Sequence, residues 1–294
     1  EAQLQLFEDM NQSLLSAEPL FAGSEEEPKD QNYQKARATF FLLRARHANN
    51  NASYTQAINY SETTRSLSIA HNLTAINALA TSELANAYVN ITDYERALTL
   101  NYQAYSQAIT LNNSYVVAYV NQMYGNIYHD IGAYADSIQY FTTAKHTYQE
   151  LGYSGFVSAS LFGIASAYRY QKKYDLAIAS FQQYKDRVKS ISFEKSHYMA
   201  LYGLGMTLAE KPDCQAALPN LQRAIDIGGP KDWDLELLKR ISYCNILLGN
   251  IAGAEKSFTQ AKIILTELPD LHGTGWAVEL IQIESTIESA KNNF

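Results

Sequence analysis

The stretch "KKYDLAIASF" at residues 172–181 decides the fold, because the chain repeats its pattern at a fixed interval. Tyr174, Ala177 and Phe181 are spaced to lie on one stripe of a helix. The stretch "GAYADSIQYF" at residues 132–141 carries a tyrosine, a small residue and a phenylalanine at the same offsets, 40 residues earlier. One amphipathic helix is therefore repeated along this chain.

The small residue of this stretch marks the period through most of the sequence. A bulky residue usually follows it at the fourth position and a small one at the seventh, a face that lets a neighbouring helix approach closely. A second helical segment precedes each marker, and short turns such as "DIGAY" and "AEKPD" separate the two. No segment alternates apolar and polar residues in the manner of a strand. The markers are Ala57, Ala97, Ser137, Ala177, Ala217 and Ala254, of which the first five are 40 residues apart (97 − 57 = 40).

The segments "LFGIASAYRYQKKYDLAIASFQQYKDR" and "YGNIYHDIGAYADSIQYFTTAK" resemble tetratricopeptide repeats, or TPRs, and the resemblance covers residues 32–266. It implies an all-α, right-handed α-solenoid of about six helix hairpins. A period of 40 exceeds the common one of about 34 and predicts longer helices. In this respect the chain resembles the extracytoplasmic sensor regions of bacterial GGDEF or histidine-kinase signalling proteins.

A stacked hairpin array needs a cover at each end, because a single hairpin cannot bury its own apolar face. We therefore predict an N-terminal capping helix with an acidic link in residues 1–31, six repeats in 32–266, and a C-terminal capping helix in 267–294. In the last segment, Val278, Ile281 and Ile287 form the apolar stripe expected to face the repeats.

Composition narrows the class of partner. The net charge of −7, from 23 basic and 30 acidic residues, argues against nucleic acid. No window approaches the 18 or more consecutive apolar residues that a membrane span needs, so any membrane attachment is expected through segments outside this chain. The sequence starts without an initiator Met or a signal peptide, which favours a mature product or a piece of a longer protein.

Motifs of catalysis are missing from the sequence. It contains no HExxH, GxSxG or Walker sequence, and its six histidines are scattered. We therefore predict no catalytic residue, no metal site and no cofactor, and a chain that is not an enzyme, although a catalytic domain could lie outside it. Partners are expected to be proteins or peptides; the oligomeric state stays open, with a dimer as one alternative.

The two cysteines allow two interpretations. Cys214 begins the second helix of the fifth hairpin, and Cys244 lies late in the next helix, which runs antiparallel to it. The two ends could meet in a disulfide, which would indicate an oxidising compartment. Alternatively, both are small buried hydrophobic residues.

The concave surface of such a solenoid is a usual binding site, and the first helix of each hairpin lines it. Asn86 and Asn126 match positions at which TPR domains hold an extended peptide. The family's carboxylate clamp also needs flanking Lys and Arg, whereas this chain has Ser82 and Gln122, so chaperone C-terminal tails are unsuitable partners. The alternative is polar filling that only contacts water. The candidate ligand contacts are Arg46, Asn86, Gln122, Asn126, His129, Phe162, Ser166, Arg169, Tyr170 and Tyr202.

Three functional classes follow from this sequence. The first is a periplasmic or other extracytoplasmic sensor module of a membrane-anchored diguanylate cyclase or histidine kinase. The second is a cytoplasmic peptide-sensing regulator similar to those of Gram-positive quorum systems, and the third is a static scaffold for protein assembly.

Overall fold

The computed structural model describes residues 16–21, 30–189, 194–268 and 275–292, with side chains of the last range described for 278–291. Residues 16–21 are helical. The rest of the predicted N-terminal cap, the acidic stretch at 22–29 and His272 lie outside the described residues.

Every regular element in the described ranges is an α-helix. Six helix hairpins succeed one another, and one further helix, α13 (Gly275–Asn292), follows them. The first helices of the hairpins are α1 (Gln31–Asn50), α3 (Thr74–Asn90), α5 (Ser114–Asp130), α7 (Ser154–Tyr170), α9 (Glu194–Glu210) and α11 (Lys231–Leu247). The second helices are α2 (Tyr54–Ala70), α4 (Tyr94–Thr110), α6 (Tyr134–Glu150), α8 (Tyr174–Val188), α10 (Cys214–Ile227) and α12 (Ile251–Thr266).

A tight turn reverses the chain inside each hairpin, as the turn after α3 shows. Thr92 takes a left-handed φ of 63°, and the backbone N–H of Asp93 donates to the carbonyl of Tyr88 at 2.9 Å. This bond satisfies a carbonyl at the end of α3. The Asp93 side chain then accepts from the backbone N–H of Arg96 at 3.2 Å and caps α4. Such a short turn makes the two helices antiparallel neighbours.

The small marker residues form the packing face that the sequence predicts. All six have no exposed surface. At the one marker that is polar, the hydroxyl of Ser137 donates to the carbonyl of Gly125 at 2.8 Å, so burial leaves no unpaired group there. The prediction of an all-α fold of stacked TPR-like hairpins is confirmed.

The chain divides into two compact units, residues 1–167 and 168–294, with the boundary in the last turn of α7. Unit 1 contains the first three hairpins and most of α7, whereas unit 2 contains α8 to α13. Within the described ranges, no helix combines the length and apolar character that crossing a bilayer requires.

The C-terminal helix packs on α11 and α12, but with a different face from the predicted one. Leu280 and Ile287 are buried, while Val278 and Ile281 are 55% and 64% exposed. The predicted stripe was therefore right for Ile287 and wrong for the other two residues. Among the side chains described in α13, Leu280 and Ile287 lie on the face that meets α11 and α12, and this face is rotated from the predicted stripe.

Candidate ligand-binding cleft

A cleft of about 250 Å³ opens in unit 1 along the first helices of neighbouring hairpins. Helices α3, α5 and α7 supply most of its wall, and α6 supplies one ring. The lining residues are Asn86, Val89, Asn90, Asn126, His129, Asp130, Phe141, Phe162, Gly163 and Ser166. Five of the ten predicted ligand contacts thus come together here.

Asn86, Asn126 and Ser166 occupy one register position on three successive first helices, 40 residues apart (126 − 86 = 40 and 166 − 126 = 40). Each is half-buried, so each side chain keeps a surface open to the cleft. Within the described part of the chain, the side-chain amide of Asn86 makes no hydrogen bond, which leaves both its donor and its acceptor groups available.

Two further amides have their NH₂ groups engaged by the protein. Asn90 donates through Nδ2 to the carbonyl of Asn86 at 2.8 Å, and Asn126 donates through Nδ2 to Sδ of Met123 at 3.8 Å. Among the described residues, the Oδ1 atoms of Asn90 and Asn126 have no hydrogen-bond donor. These amides therefore offer the cleft their oxygens more than their nitrogens.

His129 connects two helices at the cleft. Its Nδ1 lies 3.1 Å from Oδ1 of Asp130 and its Nε2 lies 3.1 Å from Oγ of Ser166. Because a carboxylate only accepts hydrogen bonds, Nδ1 carries the proton of the bond to Asp130, whereas the bond between Nε2 and the Ser166 hydroxyl can run in either direction. A hydroxyl oxygen has two lone pairs, so Ser166 keeps at least one acceptor site in both cases.

The order Asp130, His129, Ser166 is the one that serine hydrolases use. A hydrolase also needs donors placed for a developing oxyanion. Ser166 lies inside α7, where backbone N–H groups are bonded within the helix, and Asp130 is 44% exposed. We therefore interpret these three residues as a hydrogen-bond relay that orients polar groups at the cleft.

The floor of the cleft is the ring of Phe141, which is itself 3% exposed. A Cβ at Gly163 would lie 2.5 Å from carbons of this ring, and one at Gly125 would lie 2.7 Å from it. The ring thus fills a space that exists only because both neighbouring helices carry glycine there. Phe162, next to Gly163, completes the apolar part of the wall.

Elsewhere in unit 1, a buried carboxylate links α1, α3 and α5, the first helices of the first three hairpins. Glu83 on α3 is 1% exposed and accepts hydrogen bonds from Arg46 on α1 and from the hydroxyl of Tyr119 on α5. Asn49 donates to the same carboxylate at 3.2 Å. The Arg46 guanidinium also lies 4.5 Å from the centre of the Tyr119 ring. The predicted ligand contact Arg46 is thus already engaged by the protein, although its Nη2 has no hydrogen-bond acceptor among the described residues.

The electrostatics of this network follow from burial and charge. Burial raises the pKa of the Tyr119 hydroxyl well above its usual value, and the Glu83 carboxylate adds to the rise. Burial alone would lower the pKa of Arg46, but Tyr119 and Glu83 raise it well above its usual value. Tyr119 therefore stays neutral and Arg46 stays charged.

The other residues of the predicted groove in unit 1 are less accessible. Oε1 of Gln122 is buried and has no hydrogen-bond partner in the described part of the chain. Ser82, which the sequence placed beside the Asn positions of the groove, is 0% exposed. Ser82 instead donates to Oδ1 of Asn101 at 2.7 Å, inside the packing between hairpins.

Unit 2 contains the remaining predicted contacts. Arg169 forms two hydrogen bonds to Glu210, at 3.0 Å and 2.8 Å, and its guanidinium lies 5.2 Å from the ring centre of Tyr170. Tyr170 is 50% exposed. Tyr202 packs on Trp233 with ring centres 4.8 Å apart. Arg169 thus serves the internal structure of unit 2 as well as its surface.

Cys214 and Cys244 are bonded in a disulfide between α10 and α11, with Cα atoms 5.0 Å apart. Both residues are buried. Of the two interpretations that the sequence allowed, this structure contains the crosslink.

Glu83, Tyr119, Asn90 and Asp130 are the polar residues that sequence reasoning missed at these sites. A charged residue at position 83 was a usable signal, because Gly163 and Gly203 stand at the same register position, 80 and 120 residues later. A position that is glycine in other repeats is close-packed, so a glutamate there must be buried and paired. Among the described residues, no group of three or more His, Cys, Asp or Glu side chains is placed to hold a metal ion.

The fold and the cleft define a TPR-like helical repeat protein with a polar groove on the first helices of its hairpins. No protein-family profile matches the sequence, and no curated protein matches it. Solved structures do resemble it. A Rap protein complexed with Competence and Sporulation Factor is 13% identical, with a TM-score of 0.63 over 98% of this chain and 78% of that one.

Two further solved structures show the same fold. PilF of Pseudomonas aeruginosa is 13% identical, with a TM-score of 0.62 over 86% of this chain and 98% of that chain. A signal transduction ATPase with numerous domains from Pyrococcus horikoshii, which has a tetratricopeptide repeat sensor, is 16% identical. Its TM-score is 0.62 over 98% of this chain and 42% of that chain. At these identities the likeness establishes the fold.

Proposed function

We propose that this chain is a non-enzymatic, protein- or peptide-binding repeat module, and that the cleft of unit 1 binds an extended segment of the partner. The observation that carries the proposal is the recurrence of Asn86, Asn126 and Ser166 at one register position along the cleft. Amides and hydroxyls repeated at a fixed interval suit a ligand whose own polar groups recur, and a peptide backbone is such a ligand.

The spacing of the helices agrees with an extended ligand. Packed helices lie about 8–10 Å apart, and an extended chain advances about 3.3 Å per residue. Successive first helices would therefore meet the peptide about every three residues. Phe162 offers apolar surface to a side chain between these contacts, over the buried ring of Phe141.

The solved structures support a role of this class. The Rap protein was solved in complex with Competence and Sporulation Factor, and the archaeal ATPase uses its tetratricopeptide repeats as a sensor. We extend this to the present chain as a sensory region of a membrane-anchored bacterial signalling protein, with a diguanylate cyclase or a histidine kinase as the output domain.

The disulfide favours an extracytoplasmic location for the module, because structural disulfides persist in oxidising compartments. Thiol titration of the unreduced, denatured protein tests this, and two reactive thiols would count against it. The complete gene tests the sensor role. An upstream signal peptide and a downstream apolar span with GGDEF or kinase motifs are expected, and a reading frame without them contradicts it.

A cytoplasmic peptide-sensing regulator is the second candidate, favoured by the likeness to the Rap complex. A static assembly scaffold is the third. The disulfide separates the first from the second, since a cytoplasmic regulator would keep Cys214 and Cys244 reduced.

The binding proposal is tested with a displayed library of random peptides, selected on the wild-type protein. Bound clones are then measured on the double variant Asn86→Ala, Asn126→Ala, and on a control with Asn59→Ala, Gln103→Ala. The control residues are exposed amides on α2 and α4, outside the cleft. We expect the cleft variant to lose about tenfold or more in affinity and the control to retain it. Equal binding by all three proteins would refute the proposed site.

A further inference from the structure

We propose that the cleft of unit 1 recognises an ammonium group of the bound peptide, through Asp130 and the side-chain oxygens beside it. This inference rests on the proposed function and specifies the chemistry of its ligand. The shared chemistry is a primary ammonium, which either a lysine side chain or a free peptide N-terminus can supply.

The first step is the balance of acceptors and donors in the cleft. Asn90 and Asn126 each engage one N–H of the side-chain amide within the protein, with the Asn86 carbonyl and with Sδ of Met123, and among the described residues their Oδ1 atoms have no donor. The Ser166 oxygen lies 3.1 Å from Nε2 of His129 and has two lone pairs, so it keeps at least one acceptor site whichever of the two groups donates. An ammonium group is the complementary ligand, because it carries three donors and no acceptor.

Charge is the second step. Among the described residues, Asp130 is the one carboxylate in the lining of the cleft, and that lining holds no lysine or arginine. Its Oδ1 accepts from His129, while its side chain is 44% exposed, so it can take a further donor. A hydrogen bond in which both partners are charged is shorter and stronger than a neutral one.

The third step excludes the opposite ligand. A peptide carboxylate would meet the Asp130 carboxylate, and among the described lining residues no lysine or arginine is present to bind it; the Asn86 amide offers it only an uncharged donor. The charged arginine of unit 1 nearest in register, Arg46, is hydrogen-bonded to the Glu83 carboxylate. The cleft is therefore built for the opposite charge from that bound by a carboxylate clamp.

The experiment measures fluorescence polarisation with a library of labelled hexapeptides in three forms. One form carries an internal lysine with the N-terminus acetylated, one carries Nε-acetyl-lysine at the same position, and one has a free N-terminus and no lysine. Each is titrated into wild type, Asp130→Asn and a control, Asp136→Asn. Asp136 is an exposed aspartate on α6 outside the cleft.

We expect peptides with an ammonium group to bind wild type and the Asp136→Asn control about ten to a hundred times more tightly than acetylated ones. Asp130→Asn should remove that preference and leave the weaker binding of acetylated peptides unchanged. The first and third library forms show whether the lysine or the N-terminus is the source.

Failures of the two proposals are distinguishable. Peptides that require Asn86 and Asn126 but bind equally with lysine or acetyl-lysine would refute the ammonium site and leave the binding module intact. A lysine preference that survives in Asp130→Asn would also refute it. If no library form binds wild type, both proposals are wrong.

Discussion

One position of the repeat, four residues after the buried marker, is filled in three different ways within unit 1. It holds Ser61, Asn101 and Phe141 in successive hairpins, and all three are buried. The residue 22 positions further along the chain changes together with it. Gly163 follows Phe141 (163 − 141 = 22), and Glu83 follows Ser61 (83 − 61 = 22). The large Phe141 is thus paired with a glycine, whereas the small Ser61 is paired with the large, charged Glu83.

This difference shows that the repeat fixes the space between neighbouring helices at this position. Either apolar or polar side chains can fill that space. Phe141 fills the volume with a ring that excludes any Cβ at Gly163. Near Ser61 the same register admits the Glu83 carboxylate, which binds Arg46 and Tyr119 across three helices. Asn101 is intermediate, because its amide accepts from Ser82 and donates to the carbonyl of Val120 at 3.1 Å.

The largest expected effect comes from removing the buried carboxylate of the Glu83 network. Glu83→Met introduces the residue that the next repeat has at this position, Met123 (123 − 83 = 40). We expect a loss of about 3–5 kcal/mol in the free energy of unfolding, because the Arg46 charge and the Tyr119 hydroxyl lose their partner. Urea unfolding followed by circular dichroism measures it.

A matched apolar replacement sharpens this test. The triple variant Glu83→Met, Arg46→Met, Tyr119→Phe removes the charge and the hydroxyl together, and should recover most of the stability that the single change loses. A triple variant as unstable as the single one would mean that packing, and not the unpaired charge, dominates at this site.

Unit 2 links successive hairpins covalently, and removing that link should have the next largest effect. The disulfide closes a span of 30 residues, so Cys214→Ala with Cys244→Ala should cost about 3–4 kcal/mol in the loop-entropy description. Thermal unfolding with and without a reductant checks it. The reductant should destabilise the wild type and leave the double variant unchanged.

The third largest loss of stability is expected from adding a side chain to the space that Phe141 fills. Gly163→Ala places a methyl group 2.5 Å from the Phe141 ring, and we expect a loss of about 1–3 kcal/mol. Phe141→Leu in the same chain should relieve much of the strain, so a double-mutant cycle would give a favourable coupling. Simple additivity of the two losses would show that ring and glycine do not share one space.

The smallest change in stability is expected from a substitution at Ser61. Among the described residues, the buried Ser61 hydroxyl has no hydrogen-bond partner, so Ser61→Ala removes a polar group that gains nothing in the folded state. Stability should change by less than about 1 kcal/mol, in the stabilising direction. A loss larger than this would place Ser61 in the polar network of Glu83.

The sequence predicted much of the fold and part of the cleft. Asn86, Asn126 and Ser166 were placed together by register, with Phe162 at a flanking position, because the period brings equivalent positions to one face; His129 was added as a further candidate. Register could not reveal that Arg46 and Arg169 already hold carboxylates. It also could not choose the face of α13, since the apolar residues of that helix allow more than one stripe.

The sequence by itself determined the repeat, the helix hairpins and the buried small positions, because each follows from the spacing of residues along the helices. The tertiary structure decided which polar groups meet. Glu83 and its partners are 34 to 37 residues apart in the sequence, and His129 and Ser166 are 37 residues apart. Each of these hydrogen bonds therefore joins neighbouring hairpins. Periodicity sets the face that a helix buries, but pairing depends on how two such faces are aligned, and that alignment is fixed only when the hairpins pack.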